Sequence, residues 1–444
     1  MLVQNRPVAQ ATLSDGVPHD ASKRGYLEMF SLYRVIACLA VLSQHSFIWA
    51  NMSGNFVGTG FITMLHLSRN SFFFLTGLVV CYSQLTHPRS VWGFWKRRYW
   101  EIGIPYLAWT GIYLVFSLIT VSASWNEVGA FLRHSIPLGY SQLYFVVVIF
   151  QFYLVFPVLL TLMRMTRHHG RILTASLLFA VFFGLFGHYR AWFAPASDLT
   201  RDINTAFPLS RDILSYQEFL IAGMLVALHF DQVLNFVSRR YRQILAVTGV
   251  VGVLQVLYYM VSVWSGESVE RASDIYTPTA ALWCFAAIAG IFSLSWCWQQ
   301  REQRAPRTTP RRKVLSPAHL ATLTGGVYFG HTLFIQITRS VLDGTGLSTR
   351  LPWEAVVAIL FVGVVSLTGT FAALMLRTPL RWVLGGPVRS EQRASYNAPY
   401  GGHGGSEPTS REVRTGTPSS PTWELMRPVD SVSAAVLPTK GLSE

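Results

Sequence analysis

Two side chains in the first long apolar stretch of this chain have the chemistry to move a proton and to hold an anion. The stretch is MFSLYRVIACLAVLSQHSFIWA, Met29 to Ala50, and it carries Arg34 and His45, eleven residues apart. Eleven steps of about 100° return to within about 20° of the starting direction, so both lie on one helical face, roughly 16 Å apart along the axis. Histidine titrates closest to neutrality, which suits it to general-base work on a hydroxyl. Arginine stays charged and can stabilise an anionic ligand or a developing oxyanion. Ionisable groups inside an apolar span are costly and usually functional. Each also has a plainer role open to it. Arg34, five residues into the stretch, can snorkel to lipid headgroups, and His45, near the far end, can sit partly hydrated at the interface.

Such a pair needs a membrane frame, and the composition supplies one. Of the 444 residues, 13% are charged and 51% hydrophobic, too little polar surface for a soluble chain of this size. Apolar runs long enough to span a bilayer fall near 29–50, 68–86, 102–122, 142–163, 172–188, 213–230, 243–264, 277–298, 319–341 and 353–376. Segment 56–67 reads as an interfacial or re-entrant piece leading into the second span. The net charge of +14 points to no nucleic-acid partner, because the basic residues cluster in loops. The short segments 87–101, 164–171, 231–242 and 299–318 carry 16 Lys/Arg together, while 123–141, 189–212, 265–276 and 342–352 carry six. That alternation places the first set in the cytoplasm. The expected fold is all-α, a polytopic membrane bundle of about ten transmembrane helices with both termini cytoplasmic.

Residues 1–25 are expected to form a flexible cytoplasmic lead-in, 26–384 the membrane domain, and 385–444 a disordered tail rich in Gly, Ser, Pro, Thr and Arg. The first 24 residues lack the apolar core of a cleavable signal peptide, so the first span is expected to remain as an anchor. Cys38, Cys81, Cys284 and Cys297 lie in apolar runs without CxxC spacing and read as packing residues; no metal site is expected. His403 reads as a surface residue of the tail. No phosphate-cradling glycine loop, soluble catalytic domain or repeat of 20–50 residues is apparent.

Five segments in order resemble the acyltransferase-3 family of integral membrane enzymes. RVIACLAVLSQH reproduces its arginine, ten intervening residues and histidine. NSFFFLTGLVV is similar to its FF-x-x-(S/T)-G stretch, and KRRYWEIGIPYL to its basic segment before the third span. SQLYFVVVIFQFYLVFPVL resembles its fourth-span signature, and LTGGVYFGHTLF its late Tyr-x-x-His segment. The resemblance covers roughly residues 26–376. It implies transfer of an acyl group, commonly acetyl, from cytoplasmic acyl-CoA to a hydroxyl of an extracytoplasmic sugar, polysaccharide or glycolipid. It also implies a multi-pass protein of the plasma or inner membrane whose partners are the bilayer, acyl-CoA and the carbohydrate acceptor. Acyl-CoA is then a co-substrate, and no tightly bound cofactor is expected. His45 becomes the general base, with Arg34 beside the donor or the oxyanion.

Of the basic segment, Arg97 and Arg98 carry over as acyl-CoA-binding residues, since guanidinium forks match phosphate oxygens. Glu101 stands where the family often has a further basic residue, a departure from its Arg-x-x-Arg arrangement. A positive-inside anchor explains the cluster equally well. Arg69 and Asn70 open the second span beside the outer face, after His66; they are acceptor-binding candidates or helix caps. Tyr328 and His331 in the ninth span either line a tunnel or bond a neighbouring helix. Glu218 is the carboxylate well inside an apolar run and a candidate partner for Arg34 or Arg69. Gln142 and Gln151 read as interhelical hydrogen bonds, and Trp92, Trp95, Trp100 and Trp109 as an interfacial belt. The competing function is a transporter or flippase of a lipid-linked sugar, which intramembrane Arg, His and Glu would also suit.

Overall fold

In hydrocarbon a backbone N–H has no water to bond, so each apolar run closes its hydrogen bonds internally as a helix. The structure, a computed structural model, describes residues 19–121, 125–193, 211–304 and 316–384, and these contain helices and no strand. The helices are α1 (His19–Trp49), α2 (Phe56–Leu65), α3 (Leu67–Thr86), α4 (Val91–Val121), α5 (Trp125–Leu138) and α6 (Tyr144–Met165). They continue with α7 (His169–Phe193), α8 (Gln217–Leu228), α9 (Phe230–Trp264), α10 (Pro278–Arg304), α11 (Pro317–Gly344) and α12 (Trp353–Met375). Eight helical stretches are long and apolar enough to cross a membrane. The expected spans at 213–230 and 319–341 fall on α8 and α11, which are not among those eight; α8 has only 12 residues. α1 begins inside the segment expected to be a flexible lead-in, while residues 1–18 and the tail beyond 384 lie outside the described residues.

Segment 56–67 is helical. Asn55 caps α2 by accepting from the backbone N–H groups of Val57 and Gly58. His66 is the joint between α2 and α3, its own N–H bonding back to the Thr63 carbonyl.

α1 is the hub of the bundle, packing against α2, α3, α10, α11 and α12. α3 and α8 run parallel and pack most extensively: Phe73 stacks on Tyr216 with centroids 4.3 Å apart, and Gly77 lies against the Leu220 carbonyl. A methyl group on Gly77 would stand 2.2 Å from that oxygen, and one on Gly223 would stand 2.1 Å from the Phe74 oxygen. Two backbones approach this closely only where both helices carry glycine at the contact.

α4 and α6 are joined by aromatic donors. Pro157 in α6 has no N–H for the carbonyl four residues back, that of Tyr153. Trp95 Nε1 donates to that carbonyl at 2.8 Å, and Tyr99 Oη donates to the Phe150 carbonyl at 2.8 Å. The tryptophans therefore divide. Trp92 and Trp100 are 73% and 64% exposed, as a belt requires, but Trp109 is buried and donates to the Val383 carbonyl at 3.1 Å. Trp95 and Trp109 are packing residues; hydropathy does not distinguish an aromatic facing lipid from one facing protein.

The close contact makes a prediction. Gly223→Ala, which must push α8 off α3, is expected to lower stability by about 1–3 kcal/mol. Gly111→Ala, where an added methyl meets nothing within 4 Å, is expected to be neutral or to gain roughly 0.5–1 kcal/mol from helix propensity. Thermal unfolding of the detergent-solubilised protein reads both.

Candidate active site

The polar stripe of α1 lies on one unbroken helix, so Arg34 and His45 keep the axial offset their spacing implies. Among the described residues Arg34 makes no hydrogen bond or ion pair, and His45 makes no hydrogen bond. What His45 meets is a second imidazole: its ring centroid lies 4.8 Å from that of His331 on α11, the rings tilted 58° to each other. The late Tyr-x-x-His segment and the first-span histidine are thus one constellation.

His331 is fully buried and held in place by its own helix. Its Nδ1 lies 2.6 Å from the Tyr328 carbonyl oxygen. A carbonyl only accepts, so Nδ1 carries the proton. Nε2 is enclosed with no partner, and a proton there would be an unbonded buried N–H. His331 is accordingly the Nδ1–H tautomer with a bare Nε2 lone pair.

Behind it, a turn with positive φ at Gly139 (77°) and at Ser141 (49°) reverses the chain and inserts Gln142 between α4 and α11. Such a φ is uncommon outside glycine, and the hydrogen bonds of Gln142 hold the turn. Gln142 Nε2 donates to the Phe329 carbonyl at 3.0 Å and to Tyr113 Oη, Tyr113 Oη donates to the same carbonyl at 2.9 Å, and Tyr328 Oη donates to the Gln142 carbonyl at 2.6 Å. Gln142 is the interhelical bond the sequence suggested. Gln151 likewise bridges, donating to the Arg211 carbonyl and accepting from the Ile213 N–H, both at 2.9 Å.

Arg69 and Asn70 lie at the start of α3, which is tied to α1 next to His45 in the chain. Ser68 Oγ donates to Gln44 Oε1 at 2.9 Å, joining the chain neighbours of Arg69 and His45. Arg69 Nη1 donates to Tyr144 Oη at 3.0 Å, and its guanidinium lies 4.8 Å from the centre of the Tyr216 ring. Asn70 Nδ2 donates to Cys284 Sγ at 3.2 Å. Neither residue uses its side chain to cap a helix. Glu218 is buried, and it ion-pairs with neither Arg34 nor Arg69; Gln217 Nε2 donates to its Oε2 at 3.5 Å. It also lines an apolar cavity of about 920 Å³ between α7, α8, α9 and α10, with Phe74, Leu225 and Phe285 among the walls.

Arg97 and Arg98 lie near the other end of α3, at the start of α4. Arg97 Nε donates to Glu101 Oε1 at 2.6 Å and Arg98 Nη1 to Glu101 Oε2 at 3.3 Å. Glu101, the departure from the family pattern, holds both guanidinium groups. Arg89, just before α4, lines the same small cleft with Ser83 and Gln84. Tyr144 and Tyr216 were missed from sequence; each sits at the edge of an apolar run, where a phenol reads as an interfacial residue.

Fold and site together define a polytopic membrane protein with a buried polar centre on its hub helix. A family model described as an acyltransferase domain matches residues 30–375. The chain belongs to this acyltransferase-3 family, and it is a multi-pass membrane acyltransferase. No curated protein and no solved structure matches it.

The tautomer is directly testable. In protein labelled with ¹⁵N-histidine, magic-angle-spinning NMR is expected to show one neutral Nδ1–H imidazole whose signal disappears in His331→Ala. A neutral Nε2–H form at that position would overturn the assignment.

Proposed function

We propose that this protein is an O-acyltransferase that moves an acyl group, in the simplest case acetyl, from cytoplasmic acyl-CoA to a hydroxyl of a sugar, polysaccharide or glycolipid on the far side of the membrane. The observation that carries this reading is the contact of His45 with His331 in the interior of a bundle whose family transfers acyl groups. His45 removes the hydroxyl proton as the oxygen attacks the thioester carbonyl. The C–S bond breaks, the ester C–O bond forms, and the proton passes to the departing CoA thiolate. Arg34 stabilises an anionic part of the donor or the oxyanion of the tetrahedral intermediate. His331, fixed by its bond to the Tyr328 carbonyl, holds the plane of the His45 ring and, with Tyr328, borders the space for the acceptor.

With both termini cytoplasmic, as the basic loops imply, the cleft of Arg89, Arg97 and Arg98 faces the donor's compartment. Their guanidinium groups suit the phosphates of CoA, and Glu101 sets their orientation. Arg69, Asn70 and Glu218 border the acceptor. A plasma or inner membrane suits this division of substrates.

Release of CoA from acetyl-CoA by the purified protein, with candidate sugars added, tests the reading. His45→Ala is expected to lose roughly 10²- to 10⁴-fold in turnover while its melting temperature stays that of wild type. Undiminished turnover in that variant would remove His45 as the base. Intact acyl-CoA beside wild-type protein, across acyl donors and acceptor classes, would favour transport of a lipid-linked sugar instead. Arg98→Gln is expected to raise KM for acyl-CoA about tenfold with kcat little changed, the signature of lost ground-state binding.

A further inference from the structure

Arg69 is a cation enclosed by neutral groups. Its partners are the Tyr144 hydroxyl and the face of Tyr216. Its Nε is wholly buried and bonds to nothing, and among the described residues no carboxylate forms an ion pair with it. Glu218, whose carboxylate feels the charge of Arg69, stays out of ion-pair range. An enclosed cation is strongly unfavourable without an opposite charge, and one phenol and one aromatic face do not replace it.

Two neighbours are in the same condition. His66 Nδ1 and Asn70 Oδ1 are also buried without partners. Native interiors hold few such atoms, and three within five residues of chain mark a place built for a group that is not part of the chain. The unbonded Nε–H belongs to the guanidinium edge that, together with the second terminal nitrogen, matches the two oxygens of a carboxylate or phosphate. The Ser68–Gln44 hydrogen bond ties the start of α3, where Arg69 lies, to α1 one residue before His45.

The position also separates it from the donor. Arg69 opens α3, whereas Arg89, Arg97 and Arg98 follow its last residue, and 20 residues of helix span about 30 Å. A donor whose phosphates rest on those three arginines leaves Arg69 to the other substrate.

We infer that Arg69, with His66 and Tyr144, is a socket for an oxyanion on the acceptor, with Asn70 Oδ1 placed to accept from a ligand hydroxyl, so that the acylated substrate is an acidic sugar or a phosphate-bearing glycan or glycolipid and not a neutral one. Anion binding stands by itself; its assignment to the acceptor rests on the acyl-transfer reading above.

The experiment follows thermal unfolding of the full chain in detergent, without acyl-CoA, during titration with sodium glucuronate, glycerol 1-phosphate, glucose or sodium chloride at matched ionic strength. Wild type is expected to show a saturable rise with one or both oxyanions and none with glucose or chloride. Preference between the two identifies the group as carboxylate or phosphate. In Arg69→Gln the half-saturating concentration is expected to rise at least about tenfold, and Arg69→Lys, which keeps the charge without the fork, is expected to fall between. Should Arg69→Gln fail to fold, Tyr144→Phe keeps the arginine and is expected to weaken binding several-fold. No saturable response in wild type, or an equal response in every variant, overturns the socket. Arg69-dependent anion binding without any acyl-CoA turnover would instead sink the acyl-transfer reading and leave the socket standing. Turnover that is equal on neutral and acidic acceptors and unaffected in Arg69→Lys would leave the transferase and remove the acidic acceptor.

Discussion

The site depends on two helix backbones touching. α3 carries Arg69 and α8 carries Glu218, with Tyr216 immediately before it, and the register between them is set where Gly77 meets Leu220 and Gly223 meets Phe74. In lipid there is no hydrophobic force to hold helices together, since lipid tails are as apolar as leucine; close van der Waals packing does that work. Because the two glycines let α8 approach, Tyr216 reaches both the ring of Phe73 and the guanidinium of Arg69. α3 in turn rests on α1, and the Ser68–Gln44 bond aligns their ends. A change in the glycine contact would therefore be felt at His45 through two helix interfaces, without any side chain of the site being altered.

A second rule governs the rest of the interior. Aromatic side chains with a polar tip satisfy backbone carbonyls on neighbouring helices: Trp95 on Tyr153, Trp109 on Val383, Tyr113 on Phe329, Tyr259 on Phe56 and Trp283 on Met64. Each joins two segments through one directional bond and buries a large apolar ring in doing so. Buried polar atoms left without partners also occur on α10, at Ser293, Ser295 and Gln299. Those are neutral hydroxyls and an amide, which cost less to leave unpaired than a charged group. The unpaired set also includes His66 and Arg69 at the start of α3 and His331 on α11, all titratable or charged.

The stripe on α1, the helical runs and the bridging glutamines were all legible in the sequence, because each follows from periodicity or from the price of a lone amide in hydrocarbon. The pairing of His45 with His331 was not. The two are separated by most of the membrane domain, and neither residue's surroundings in the chain indicate the other. Glu218 was legible in part: its carboxylate feels the charge of Arg69, as charge complementarity suggested, but it forms no ion pair with it and bonds to Gln217 beside the apolar cavity. Trp92 and Trp109 show the same gap within a single helix. Both sit in apolar surroundings in the sequence, but one faces outward and the other is buried against Val383, a distinction that hydropathy does not contain when core and solvent are equally apolar.

The arginines make the final contrast. Arg97 and Arg98 share Glu101 and keep part of their surface exposed. Solvent screens such groups, so the cluster is stable with or without a ligand and its ion pairs contribute little. On the proposed reading, acyl-CoA bound there would compete with Glu101 and bind reversibly, as a co-substrate that leaves as CoA must. Arg69 has no carboxylate to fall back on and no solvent at Nε. An oxyanion there would supply the opposite charge that its surroundings lack. Burial, more than the residue type the three share, decides which arginine the fold can leave empty and which one it built for an occupant.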